Sequence, residues 1–311
     1  MSLVSNSVSH RGFRQKVVNA WMKRQVHATQ AVSPVAASAG RPIQFEAAEQ
    51  APESFADARP SRSWMKFQRA QQIVGGSKVL RRLTIGVFAR LELLLLKGHK
   101  DRAALKRIVR CRRAAESLLT GNEAFFLYSL ANAQRKLFGA MAELGVFQGC
   151  SARILCEAKE DRALHLFDTF AGLPQPGEIE TGYLKRGQFA ASLPAVQRLL
   201  QGYTNVSFHD GLFPNSATGL DGVRFSLVHL DADLYSSTLA GLEFFYPRMV
   251  PGGIILAHDY STLPGVTLAF EEFLAGKPEA VIELPTTQAM IVVRGRKEIR
   301  PGVDARFRST V

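Results

Sequence analysis

Cysteine is scarce: the 311 residues hold 3, at Cys111, Cys150 and Cys156. They form no CxxC pair, so neither a disulfide framework nor a cysteine-built zinc site is available, and a reduced intracellular chain with structural thiols is expected. Long apolar runs are missing as well. None approaches the roughly 18 residues of a membrane-spanning helix, and the densest, around Leu93–Leu96, is interrupted by Arg90 and Glu92. Acidic residues are absent from 1–45, where Arg11, Arg14, Lys16, Lys23, Arg24 and Arg41 stand among many Ser, Ala and Val. That composition suits an organelle transit peptide and equally a disordered tail, whereas the lack of an apolar stretch before a small-residue cleavage site disfavours a secretory signal.

Hydrophobic residues make up 46% of the chain, enough for a substantial core. The net charge of +12 is unevenly spread, since residues 1–113 hold 22 basic and 6 acidic residues and the rest hold 17 and 21. Basicity confined to the N-terminal third excludes reading the whole chain as a nucleic-acid binder, and no specific nucleic-acid partner is expected. The length suits one large domain with an extension. Residues 1–62 read as a disordered or targeting extension, 63–120 as a basic amphipathic helical region, and 121–311 as the main domain. In the helical region Lys78, Arg81, Arg82 and Arg90 frame an apolar face from Leu83 to Leu95. Such a helix packs on the main domain with its charges outward, or lies on an anionic membrane through residues 78–113.

Beyond Gly121 a repeat of helix, short apolar strand, Gly or Asp, and helix sets in. Strands are expected at 141–147, 164–168, 206–209, 225–230 and 253–257, and helices at 123–138, 151–158, 188–200, 238–248 and 264–274. The strands are short and lack a polar face, as strands covered by helices on both sides do. Two more, 280–284 and 289–294, are joined by only four residues, too few for a parallel crossover, so they pair antiparallel or diverge. The fold expected is α/β: a doubly wound, mostly parallel seven-stranded sheet with a C-terminal antiparallel hairpin strand, the class I methyltransferase layout, preceded by a basic helical extension.

Ligands of such sheets bind at the carboxyl ends of the strands. The first end reads Glu143-Leu144-Gly145-Val146-Phe147-Gln148-Gly149-Cys150-Ser151. Gly145 and Gly149 let the backbone approach a ligand, and the helix opening near Ser151 offers free N–H groups; the bland alternative is a tight turn. Asp168, at the next strand end, sits where ribose hydroxyls are accepted in nucleoside-cofactor folds, or else caps its own turn. Asp210 either reaches the adenine end of that cofactor or serves its turn. Asp231 and Asp233 leave one strand and His258-Asp259 its neighbour, offering ligands for a hard cation such as Mg²⁺, which would lower the pKa of an acceptor hydroxyl. Asp233 has a second reading, as an acid facing the dipole of the next helix. His165 and His229 read as core or edge residues, and the 171–187 loop is long enough to cover an acceptor.

The strings AELGVFQGCSARIL, LHLFDTFAGLP and LVHLDADLYSSTLAGLEFFYPRMVPGGIILAHDYSTLPGV resemble the macrocin O-methyltransferase family across residues 121–295. The resemblance implies an S-adenosylmethionine-dependent, Mg²⁺-assisted enzyme methylating a sugar hydroxyl. It places the glycine turn and Asp168 at the cofactor and Asp231 on the metal. Taken with the strand ends, the expected set is Glu143, Gly145, Gly149, Ser151, Asp168 and Asp210 at the cofactor, Asp231 and His258 in catalysis, and Asp231, His258 and Asp259 on the metal. The family commonly has two adjacent carboxylates where this chain has His258-Asp259, so His258 acts as ligand or as general base. The expected partner is a small-molecule or glycan acceptor, in a cytoplasmic setting, with homo-oligomerisation and organelle targeting by 1–45 left open. Competing readings are a metal-independent methyltransferase using His258 on a phenol or lipid headgroup, and a scaffold without activity.

Overall fold

The computed structural model describes residues 78–180 and 184–295. The expected extension at 1–62 and the start of the helical region lie outside them. The N-terminal described elements are helices α1 (Lys78–Leu96), α2 (Arg102–Ala114) and α3 (Gly121–Gln134). Asp101 starts α2 by accepting from the amides of Ala103 and Ala104, at 3.2 and 2.9 Å. Thr120 and Glu123 start α3 as a reciprocal pair in which each side chain accepts from the other's backbone amide, an arrangement worth about 1 kcal/mol per satisfied cap.

The alternating part follows as β1 (Ala140–Leu144), α4 (Cys150–Ala158), β2 (Leu164–Asp168), α5 (Leu193–Leu199), β3 (Val206–Asp210), β4 (Phe225–Leu230), α6 (Tyr235–Phe245), β5 (Met249–Ala257), α7 (Pro264–Leu274), β6 (Ile282–Glu283) and β7 (Ala289–Val292). The strands form one sheet in the order β3-β2-β1-β4-β5-β7-β6. All neighbours are parallel except that β7 runs antiparallel between β5 and β6. The short 284–288 connection therefore makes a hairpin, the antiparallel one of the two alternatives open in the sequence.

Burial on both faces explains the apolar strands. Alternate residues point to opposite sides: Met141, Leu164, Leu166 and Leu227 meet Leu105, Ile108, Leu127 and Ile154 of the N-terminal helices and α4. Ala142, Phe167, Val228 and Ile255 meet Leu242, Phe245 and Phe270 of α6 and α7. Each fully buried Leu, Ile or Phe contributes about 1.5–3 kcal/mol, so two continuous layers hold the sheet rigid beneath its rim.

Some boundaries differ from expectation for local reasons. β1 stops at Leu144 because Gly145 turns away with φ 91°. α5 begins five residues late, since Pro194 occupies its first turn and restricts the residue before it. α6 begins three residues early, and Pro247 lies in a 3₁₀ turn after it.

Among the described side chains of α1, Ala89, Glu92, Leu93 and Leu96 are buried, whereas Val87, Phe88, Leu91, Leu94 and Leu95 are all more than half exposed and Arg90 is exposed beside them. All three cysteines are buried and unpaired.

Candidate active site

The carboxyl ends of β2, β1, β4 and β5 are aligned by backbone bonds that continue the sheet past each strand. Gly145 N donates to Phe167 O, Asp231 N to Leu144 O and His258 N to Leu230 O, at 2.9, 2.8 and 2.8 Å. A cleft enclosing about 1000 Å³, its open mouth included, lies along this row. Gly145, Val146, Phe147, Ser151 and Asp168 form one wall, and Asp231, Asp233, His258 and Asp259 another.

Gly145 is dictated by contact: a Cβ there would lie 1.9 Å from the carbonyl oxygen of Asp231. Gly149 precedes α4 with φ 82°, and a Cβ would meet Val196 at 2.8 Å. Both glycines are thus required by close approach, and the second aims the free N–H groups of α4 at the cleft. Asp168 holds the turn between them. Its Oδ2 accepts from Val146 N at 2.7 Å and Phe147 N at 2.8 Å, and its Oδ1 from Phe170 N at 2.7 Å. A carboxylate has about four acceptor positions, so one is left for a ligand hydroxyl. Phe147, Phe170, Asp233 and Asp259 all adopt positive φ at these strand ends, the backbone strain that rigid surroundings sustain at working sites.

Two expected cofactor residues stand elsewhere. Glu143 is fully buried below the cleft, its Oε1 2.8 Å from His229 Nδ1; burial pushes its carboxyl upward against the pull of His229 and Ser151. It supports the floor and does not face the cleft. Asp210 is exposed and outside the cleft lining, where its neighbour Gly211 stands instead. The alternation of the strand accounts for both: a residue one step from a lining position faces another way.

Asp231, His258 and Asp259 come together, with one donor atom of each within 4.8 Å of the others. His258 Nδ1 lies 3.1 Å from Asp231 Oδ1 and 3.0 Å from Asp259 Oδ2. Its Nε2 faces Glu123 Oε2 at 3.5 Å. Burial opposes charge on His258, yet Asp231 and Asp259 outweigh it and hold the imidazole well above its usual range. Burial likewise works against ionised Asp231, and His258 overcomes it to keep that carboxyl low. At Asp233 burial and the charges of Asp231 and Asp259 outweigh the pull of His258 and raise the carboxyl well above the ordinary carboxylate value.

Two contributors lay outside the sequence expectations. Glu123 stood in the sequence only as the start of a helix, and its contact with His258 joins segments far apart in the chain. It is fixed by Thr120 N and, from the β6–β7 hairpin, by Thr287 N and Oγ1. Glu180 ties the 171–187 loop to the start of α6, accepting from Tyr235 N at 2.8 Å and Gly177 N at 3.0 Å.

Two carboxylates and an imidazole at this spacing fit a divalent cation. Oxygen donors suit Mg²⁺ or Mn²⁺, and the nitrogen favours first-row metals that accept it. His258 would serve through Nδ1 as a neutral ring, with Glu123 behind Nε2 setting the tautomer.

The strand order, the reversed β7 and the glycine turn facing acidic strand ends define a Rossmann-like class I methyltransferase fold. Residues 130–287 match the Macrocin-O-methyltransferase (TylF) family, and the chain belongs to it. It is 30% identical over 139 residues to the 8-demethyl-8-(2,3-dimethoxy-alpha-L-rhamnosyl)-tetracenomycin-C 4'-O-methyltransferase of Streptomyces olivaceus, covering 40% of this chain and 53% of that one. It is 29% identical over 153 residues to the mycinamicin III 3''-O-methyltransferase of Micromonospora griseorubida, covering 43% and 60%. The chain thus spans 53–60% of the length of these relatives. The O-methyltransferase NovP shares the fold, with a TM-score of 0.50 and 23% identity over 58% of this chain and 82% of that structure.

Proposed function

We propose that the protein transfers a methyl group from S-adenosylmethionine to a hydroxyl of a sugar or sugar-bearing small molecule, assisted by a divalent cation, Mg²⁺ or Mn²⁺. One observation carries this reading: a single cleft joins a glycine turn built for close ligand approach to a cluster of one imidazole and three carboxyls. The names of the relatives, which act on hydroxyls of glycosylated products, support the acceptor class.

S-adenosylmethionine supplies an electrophilic methyl on a sulfonium, which leaves as a neutral thioether. The α4 amides and the Gly145 backbone would hold its polar end, and the free acceptor position of Asp168 its ribose. Asp231, His258 and Asp259 would hold a divalent cation, which would supply Lewis acidity toward an acceptor hydroxyl. Phe147, Phe189 and Phe213, on the cleft wall, exclude water, which strengthens the charges acting on the acceptor.

The proton has to go to a side chain. His258 is poorly suited in the arrangement described, because its flanking carboxylates keep it protonated. Asp233 lies in the same cleft, and burial with the charges of Asp231 and Asp259 raises its carboxyl too, so it would take the proton only where those charges are offset.

Calorimetric titration with S-adenosylmethionine, followed by methyl transfer to a panel of glycosides and phenols with and without chelator, tests the proposal. Absence of cofactor binding refutes the enzyme reading. Transfer to phenols alone, undiminished by chelator, replaces it with the metal-independent alternative.

A further inference from the structure

The outer face of α1 is an apolar feature among the described residues that the catalytic reading does not use. Val87, Phe88, Leu91, Leu94 and Leu95 are 62, 53, 54, 58 and 67% exposed. At 100° per residue they occupy a stripe about 120° wide, opposite the face that packs on the domain. A helix apolar on both sides needs cover on both.

The charge around the stripe is mostly basic. Arg90 flanks it, and Lys97, Lys100 and Arg102 follow within seven residues of its end, all exposed. Of the acids from 85 to 102, Glu92 is buried, accepting from Gly121 N and Asn122 Nδ2, and Asp101 is exposed with its carboxylate accepting from Ala103 N and Ala104 N at the start of α2. A second copy laid on the stripe would bring an excess of like charge together. The chain's own residues 1–45 carry six basic residues and no acidic one, so that segment does not complement it, and the acids Glu46, Glu49, Glu53 and Asp57 that follow are spread through a stretch that also holds Pro52 and Arg59.

We infer that this surface docks on an anionic lipid bilayer, with the stripe entering the acyl boundary and Arg90, Lys97, Lys100 and Arg102 meeting the headgroups. An anionic interface satisfies both features at once, because apolar side chains gain burial while the basic rim gains the surface potential. No helix among the described residues is long and apolar enough to cross a membrane, so the contact is peripheral. The inference is independent of the methyl-transfer reading.

The test is sedimentation of the full chain with vesicles of neutral phosphatidylcholine and of the same lipid with about a third phosphatidylglycerol. Binding to the anionic vesicles is expected, weakening as salt is raised. Leu91→Asp with Leu95→Asp should weaken it about tenfold or more, and Lys97→Glu with Lys100→Glu severalfold. Light scattering provides the second arm, with a monomeric mass expected for both variants and the parent.

Binding that survives both double substitutions arises elsewhere in the chain and overturns the proposal. Equal binding to neutral vesicles removes the role of the basic rim and overturns it too. A parent dimer that Leu91→Asp and Leu95→Asp dissolve would instead make a second copy the occupant.

Discussion

Replacing Asp168 with alanine distinguishes a carboxylate that only meets a ligand from one that builds the site. Three backbone amides, of Val146, Phe147 and Phe170, lose their acceptor. Each bond to a charged acceptor is worth about 1.5–3 kcal/mol net, but the three share one group and are not additive. Asp168 is half-buried, so water reaches part of the gap, and a total near 3 kcal/mol is expected. For a domain of this size that lowers the melting temperature by about 6–12 °C.

Affinity for S-adenosylmethionine should fall with it, by about 1–3 kcal/mol, since the turn that receives the ligand loosens. Asp168→Asn can still direct its carbonyl to Val146 and Phe147, and should lose less than half the stability. Thermal unfolding by circular dichroism and calorimetric titration measure the two effects separately. Lost affinity with a melting temperature within about 2 °C of the parent would show that Asp168 acts on the ligand alone.

Three other outcomes are expected. Gly145→Ala should cost more than about 3 kcal/mol, because both φ 91° and the 1.9 Å approach to Asp231 forbid a side chain; a soluble variant with unchanged urea midpoint contradicts this. Metal-stripped protein should take up Mn²⁺ in calorimetry, and His258→Ala should weaken that uptake while leaving S-adenosylmethionine affinity within about twofold; unchanged Mn²⁺ affinity removes His258 from the cluster. Burial and the adjacent His209 hold the His165 imidazole down to about 4, against 6.5 in the free residue. Between those values the unfolded chain binds more protons, so stability should fall as pH drops from about 6.5 to about 4. The loss is about 1–2 kcal/mol after screening of this half-buried ring, and His165→Gln should flatten that limb of the urea-midpoint profile.

Periodicity located the strands because both faces of the sheet are apolar, and β2, β4 and α7 have their expected bounds. The errors at β1 and α5 fall where one residue's backbone decides, at Gly145 and Pro194, while α6 and β5 also start earlier than expected, at Tyr235 and Met249. Within the site, Asp231, His258 and Asp259 were legible because neighbouring parallel strands bring their ends together. Glu143 was misplaced because a strand-end acid looks the same in sequence whether it faces the cleft or, as here, a buried histidine. Glu123 was not legible as a site residue, since its link to His258 depends on how α3 and the hairpin pack.

The approach of Gly145 to the Asp231 carbonyl has a thermodynamic corollary. With no space between the first turn and the acidic strand end, neither can shift without carrying the other. A ligand that orders the turn thereby biases the position of the Asp231 carboxylate, and linkage makes the effect reciprocal. Donor and acceptor sites joined at such a seam are expected to fill cooperatively, each occupant sharpening the affinity for the other.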